Sequence, residues 1–389
     1  MRRYYPGKNF RCALSIEELR RVASRSVPGF AFEYVEGGAE DEQALSRNRE
    51  ALDAIRIIPN TLVDTSNRNQ SIVLFDQQLR SPLVIAPTGL NGMLRYHGDA
   101  ELARASAAAG IPFTLSTVSN MRLEDVAESA GGRLWMQLYV MKDRDVARDI
   151  ITRAEHAGYE ALVFTTDANV FGYREWDQRN YRSPGKLTLR NIVDTMTHPR
   201  WMFNVIRHGV PWFDNIVDFM PPEAKSASGG VAFFPKLFAP DLTWDDVAWL
   251  RDLWPRKLLI KGVLSVADAR RAVESGCDGI ILSNHGGRQL DACVAPIEVL
   301  PDIAEAVGDR LTILVDSGFR RGADVVKAVA LGADAVMIGR ATLYGLAAGG
   351  EAGVSHALNI LISEIDRTLG QLGCKTLSDV TPGMLVKSR

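Results

Sequence analysis

Cysteine is scarce in this chain. Cys12, Cys277, Cys293 and Cys374 are scattered over 389 positions, with no Cys-x-x-Cys pair and no Cys/His metal spacing. That excludes a disulfide framework and a zinc site, and it fits a reducing compartment. No metal ligand set is expected. Charge of one sign is also lacking: 45 basic residues against 47 acidic ones give a net charge of −2. There is therefore no global case for nucleic-acid binding. No run approaches the ~18 uninterrupted apolar residues that cross a bilayer. Met1 to Ala13 has no apolar core of a secretory signal. What remains is a globular protein of the cytosol or of a membrane surface. Its length allows two or three domains, or one long α/β barrel.

Eight short apolar runs end in polar or glycine-containing turns: Pro82–Ala86, Pro112–Leu115, Leu134–Leu138, Ala161–Thr165, Leu258–Ile260, Gly279–Leu282, Leu311–Val315 and Ala335–Ile338. Most are rich in Val, Ile and Leu without polar alternation, as parallel strands buried on both faces are. Amphipathic stretches lie between them, and several close on a glycine just before the next strand (Gly110, Gly158, Gly276, Gly332), the expected helix C-cap. Eight strand–helix units predict a (β/α)₈ TIM barrel over 81–375. Residues 1–80 form an N-terminal helical extension, with a helix over Ser15–Val22 capped by Ser15 and a capping box closed by Glu18. Residues 376–389 form a C-terminal tail. Most gaps between strands are roughly 20–35 residues, one strand–helix unit. The gap after strand 4 is far longer, so residues 176–242 are read as an insertion.

In this fold the active site lies at the C-terminal ends of the strands. Those ends read Pro87-Thr88-Gly89, Ser116, Gln137 and Tyr139, Thr165 and Asp167, Lys261, Ser283 through Arg288, Asp316-Ser317-Gly318, and Gly339-Arg340. One Ser or Thr after a strand is usually a turn or a cap; eight polar ends at once point to a site. Gly318, Gly339, Arg320 and Arg340 after strands 7 and 8 suit a phosphate cradle, although Arg320 could simply open a solvated helix. Lys261 ends an apolar strand, so it needs an anionic or electron-rich partner. A reduced flavin or a Schiff base would each serve. Ser283-Asn284-His285-Gly286-Gly287-Arg288-Gln289-Leu290-Asp291 sets a potential base three residues from a guanidinium. A satisfied core histidine is the alternative for His285. Asp167 could orient the imidazole. With Arg174, two arginines and a histidine suit an α-hydroxy carboxylate.

These nine residues, with Tyr34-Val35-Glu36-Gly37-Gly38-Ala39-Glu40-Asp41-Glu42, resemble the FMN-dependent α-hydroxy-acid dehydrogenases and oxidases. The resemblance covers roughly residues 15–375. It implies FMN bound by Pro87, Thr88, Gly89, Ser116, Gln137, Thr165, Lys261, Ser283, Asp316, Ser317, Gly318, Arg320, Gly339 and Arg340. It implies substrate contacts from Tyr34, Tyr139, Arg174, His285 and Arg288, with His285 as base, Asp167 behind it and Tyr139 a donor to the reacting oxygen. A homotetramer is usual in the family. Gly89 and Val118 stand where small-substrate members carry bulkier side chains. Both are read as removing bulk from the pocket, which favours a large aromatic 2-hydroxy acid. Gly89 also goes with weak oxygen reactivity. The run Pro87–Gly92 with His198-Pro199-Arg200-Trp201 is most similar to the mandelate-oxidising branch.

Within 178–217, Arg179, Arg182, Lys186, Arg190, Arg200 and Arg207 outnumber Asp194 and Asp214, six against two, and Trp201, Phe203, Trp212 and Phe213 lie among them. A basic, aromatic segment suits an anionic membrane surface; a lid on the barrel rim is the alternative. The resemblance implies peripheral membrane contact here, on the cytoplasmic face of the inner membrane, with electrons passing to a membrane quinone.

Overall fold

The computed structural model describes residues 3–183, 185–209, 211–222 and 236–387. Eight parallel strands close into a barrel: β1 Leu83–Ile85, β2 Phe113–Leu115, β3 Leu134–Leu138, β4 Ala161–Thr165, β5 Lys257–Val263, β6 Gly279–Leu282, β7 Thr312–Val315 and β8 Ala335–Ile338. Each pairs with its neighbours in sequence, and β8 closes on β1 through Met337 and Val84. The outer helices are α1 Gly98–Ala109, α2 Leu123–Ala130, α3 Arg144–His156, α4 Trp244–Leu253, α5 Val266–Glu274, α6 Pro296–Val307, α7 Gly322–Ala330 and α8 Arg340–Leu372. Helix α4 is missing from the sequence expectation. Its apolar face is short (only Val247 and Leu250 are buried along it), so the period is weak.

The strands show no polar alternation because both faces are buried, yet the two faces divide cleanly. Val84, Trp135, Val163, Leu259, Ile281, Leu314 and Met337 fill the interior. Leu83, Leu134, Leu162, Leu258, Ile280, Ile313 and Val336 pack outward under the helices. An antiparallel hairpin, Ile72–Leu74 with Gln77–Leu79, adds Leu74 and Leu79 to the interior cluster, and its Phe75 meets Trp135 edge-on with ring centres 5.9 Å apart. That closes the end of the barrel opposite the strand C-termini.

The N-terminal helix spans Ile16–Ala23, and Ser15 accepts the Glu18 N–H. The expected capping box is not formed. Glu18 reaches past Ser15 to the N–H groups of Leu14 and Tyr5, because the chain ahead of the helix folds back over it. Strand Ile55–Ile57 pairs antiparallel with Leu385–Lys387, so the C-terminal tail returns to the N-terminal extension. The insertion leaves β4 and holds a helix Glu175–Asn180, a short hairpin, a helix Leu189–Met196 and a helix Pro199–Val205. Residues 184, 210 and 223–235 of the expected insertion, and 388–389 of the tail, lie outside the described residues.

Candidate active site

The alternation inside the strands decides which side chains reach the mouth. Two residues beyond the interior positions, the same face carries Ala86, Gln137, Thr165, Lys261, Ser283, Asp316 and Gly339. Two further along β1, β3, β4 and β6 come Thr88, Tyr139, Asp167 and His285. These ends surround a cavity of about 500 Å³, well within the size range of small-molecule sites. Every site residue expected from the sequence lines it except Asp167 and Ser283. Those two lie one layer behind, where each holds a lining residue in place.

His285 Nδ1 lies 2.9 Å from Asp167 Oδ1, and its Nε2 lies 3.5 Å from the Tyr139 hydroxyl. The backbone at His285 is left-handed, with φ +58°, a conformation that costs a non-glycine residue about 1–3 kcal/mol. The Ser283 hydroxyl accepts the His285 N–H at 3.0 Å and helps hold that turn. Gly262 makes room for Asp167: a Cβ there would sit 2.8 Å from Asp167 Cβ, and its φ is +108°. Burial lowers the His285 pKa, with Lys261 and Arg174 acting in the same direction, and together they outweigh Asp167. Burial alone would raise Asp167, but His285 and Lys261 pull it below the ordinary carboxylate value. The pair is therefore a neutral imidazole beside a carboxylate. Burial, reinforced by Asp167, pushes the Tyr139 phenol well up, so it stays a donor.

Lys261 Nζ donates to Ser283 Oγ at 2.7 Å and pairs with Asp316 Oδ2 at 3.1 Å. Burial opposes its charge, but Asp316 and Asp167 raise its pKa. The ion pair with Asp316 favours the charged form, which suits an electron-rich partner better than a Schiff base. Gln137 bridges Thr165 (3.0 Å) and Ser116 (3.2 Å) beside it. Thr88 Oγ1 is buried with no hydrogen-bond partner among the described residues. At the other end Arg340 gives three of its five N–H donors to the carbonyls of Val35, Gly37 and Gly286. It thus fastens the N-terminal extension as well as lining the cavity. The first turn of α8 follows Gly339 with no side-chain cap.

Arg288 Nη1 donates to Tyr34 O and Gly37 O, both at 2.7 Å. That leaves its Nε–Nη2 edge, the edge that forks onto a carboxylate. Burial, then the nearby charge of Arg174, pulls the Arg288 pKa down to about 9. Two guanidiniums held close in a cavity favour an anion between them. The rest of the nine-residue motif is fastening. Asn284 exchanges hydrogen bonds with Asn48, Asp291 accepts the Ala44 N–H, and Gln289 binds Gly172 N and Asp167 O.

Sequence reasoning missed Leu90, Phe171, Asp177, Phe213, Phe319 and Leu343, which also line the cavity. Asp177 and Phe213 come from the insertion, whose path no periodicity reveals, and Phe171 from the loop that leads into it. One expectation is corrected. A Cβ at Gly89 would lie 2.3 Å from Val118 Cγ2, so Val118 occupies the space that Gly89 leaves. The two positions exchange volume and do not both vacate it.

Over residues 23–387 the chain matches the family described as FMN-dependent dehydrogenase. It belongs to that family. This FMN-dependent dehydrogenase is 45% identical over 372 residues to an (S)-mandelate dehydrogenase of Pseudomonas putida, covering 95% of this chain and 93% of that one. It is 43% identical over 373 residues to an L-lactate dehydrogenase of Bartonella tribocorum, covering 95% and 97%. Its fold is similar to a crystal structure of a monotopic membrane protein, (S)-mandelate dehydrogenase, with a TM-score of 0.92, 45% identity and coverage of 97% and 100%. The enzyme is an FMN-dependent 2-hydroxy-acid dehydrogenase.

The residues suit FMN. Gln137, Thr165 and Lys261 offer donors and a charge to the polar edge of a flat ring, and the orphaned Thr88 hydroxyl needs a partner there. The open helix N-terminus at Arg340, with Arg320 beside it on the cavity wall, suits a phosphate. Bound FMN supplies the acceptor for two electrons.

Proposed function

We propose that this enzyme oxidises an aromatic (S)-2-hydroxy acid, mandelate to benzoylformate, with His285 as the base, and passes the electrons to a membrane quinone. The observation that carries this reading is the convergence of Arg174, Arg288 and the His285–Asp167 pair on one cavity. Arg288, through its Nε–Nη2 edge, and Arg174 hold the substrate carboxylate. The Tyr34 hydroxyl adds a donor. Tyr139 donates to the substrate oxygen. Neutral His285 takes the proton at Nε2, and Asp167 stabilises the imidazolium that results. Lys261 would hold the ring of FMN and supply the positive charge beside it. The α8 N-terminus and Arg320 would hold its phosphate. Leu90, Phe171, Phe213 and Val118 give the cavity an apolar, partly aromatic wall, which suits a phenyl group better than a methyl.

The helix Leu189–Met196 supports the membrane reading. It buries Asn191 and Thr195 and exposes Leu189 (71%), Val193 (63%) and Met196 (67%), the reverse of an ordinary surface helix. Phe203 (67%) and Ile206 (52%) continue the apolar face, and the arginines at 190, 200 and 207 flank it. Among the described residues no helix is long and apolar enough to cross a membrane. That fits contact with one leaflet, read here as the cytoplasmic face of the inner membrane. A homotetramer is the assembly the family resemblance implies.

Steady-state rates on (S)-mandelate, phenyllactate and L-lactate, each with a quinone analogue and with oxygen, test the proposal. The expected result is kcat/KM for mandelate at least roughly tenfold above lactate, with the quinone the faster acceptor. Preference for lactate, made pertinent by the 43% identity to a lactate dehydrogenase, or full turnover on oxygen would overturn it.

A further inference from the structure

The helix that carries Tyr34 spans Gly29–Glu36, and its N-cap is Pro28, which has no side chain able to cap it. Two of its early N–H groups, those of Ala31 and Phe32, turn back to Pro28 O. The first, at Gly29, donates instead to Asp194 Oδ2 at 2.7 Å, 165 positions along the chain. Asp194 sits on the insertion helix Leu189–Met196, the one whose outer face is aliphatic. A carboxylate at a helix N-terminus both satisfies an orphan donor and complements the helix dipole. A second tie lies one turn on, where Asn180 Nδ2 donates to Glu33 Oε2 at 2.6 Å and Asn191 in turn binds Asn180. Phe30 packs edge-on against Trp201 of the next insertion helix at 5.8 Å. At its other end the same eight-residue helix is gripped by Arg288 and Arg340 through the carbonyls of Tyr34, Val35 and Gly37.

We infer that Asp194 is a positioning residue through which the inserted segment sets the place of Tyr34 in the substrate pocket. Asp194 lies outside the lining of the cavity. It fixes the start of a two-turn helix whose fifth residue past the cap contact is Tyr34. The inference rests on the proposed role of Tyr34 in holding the substrate. Because that role belongs to the bound substrate throughout the reaction, losing it weakens binding without slowing the chemistry.

The test compares Asp194→Ala, Asp194→Asn and Tyr34→Phe in the FMN-loaded enzyme. Steady-state KM and kcat are measured for the hydroxy acid, and a non-reactive 2-keto acid is titrated by its perturbation of the flavin spectrum. Asp194→Ala is expected to raise KM and the keto-acid Kd by roughly threefold to tenfold, the scale of a lost helix cap, with kcat within about twofold. Asp194→Asn keeps an acceptor oxygen at the same place and is expected to restore most of the binding. A purely structural loss would lower kcat, flavin content and KM-dependent rates together and would not be rescued by Asn. If Tyr34→Phe raises KM while Asp194→Ala leaves it at the wild-type value, the coupling is wrong. If neither substitution moves KM or Kd, the role given to Tyr34 fails, and the inference falls with it.

Discussion

Asp167 Oδ1 holds His285 Nδ1 at 2.9 Å, which turns Nε2 toward the Tyr139 hydroxyl and the cavity. The carboxylate fixes both the tautomer and the orientation of the ring. Asp167→Asn is expected to leave FMN bound and to slow flavin reduction by about 10²–10⁴-fold. Stopped-flow reduction under anaerobic conditions measures it.

The same site sets the pH profile. Burial lowers His285 from the ordinary histidine value of 6.5. The reactive form is the neutral imidazole, so kcat/KM is level at neutral pH and falls on acidification as the ring protonates. The acid limb of the profile is expected to have its midpoint below 6.5, falling about tenfold per pH unit beneath it. A midpoint above 7 in the kcat/KM profile would contradict the lowered value.

Gly89 and Val118 are coupled by volume. A methyl at position 89 meets Val118 Cγ2 at 2.3 Å, and overpacking of this kind costs about 1–3 kcal/mol. Gly89→Ala alone is expected to lower Tm, whereas the double variant with Val118→Ala recovers much of the loss. A double-mutant cycle in urea is expected to give a coupling of about 0.5–3 kcal/mol. Additive effects would mean that the two side chains do not share the space.

The outer face of the insertion carries its own prediction. Replacing Leu189, Val193, Met196 and Phe203 by serine removes exposed apolar surface without touching Asp194. The variant is expected to stay folded, to hold FMN, and to lose binding to anionic vesicles in a flotation assay. Raised salt is expected to weaken the wild-type protein's binding, because Arg190, Arg200 and Arg207 contribute through charge.

Most of the barrel was legible because each strand is a short apolar run with a glycine or polar stop. Six of the eight strand C-termini coincide with the ends read from the sequence; β1 stops one residue earlier, at Ile85, and β5 runs on to Val263. The parity that sends Gln137, Lys261 and Asp316 into the mouth was present too, but hidden, because both faces of each strand are apolar. The contributions that were not legible come from long-range packing. Asp177 and Phe213 reach the cavity on an insertion with no period to read. Arg340 gives two of its five donors to the carbonyls of residues 35 and 37, a contact between opposite ends of the chain. The Gly89–Val118 exchange depends on two loops meeting, and each residue alone suggested open space.

Anaerobic addition of (S)-mandelate to the FMN-loaded protein, wild type beside His285→Gln, bears most directly on the central claim. The wild type is expected to bleach within one turnover. The variant is expected to hold FMN at the same occupancy and to bleach at least about 10²-fold more slowly. Bleaching of the variant at the wild-type rate would show that His285 is not the base.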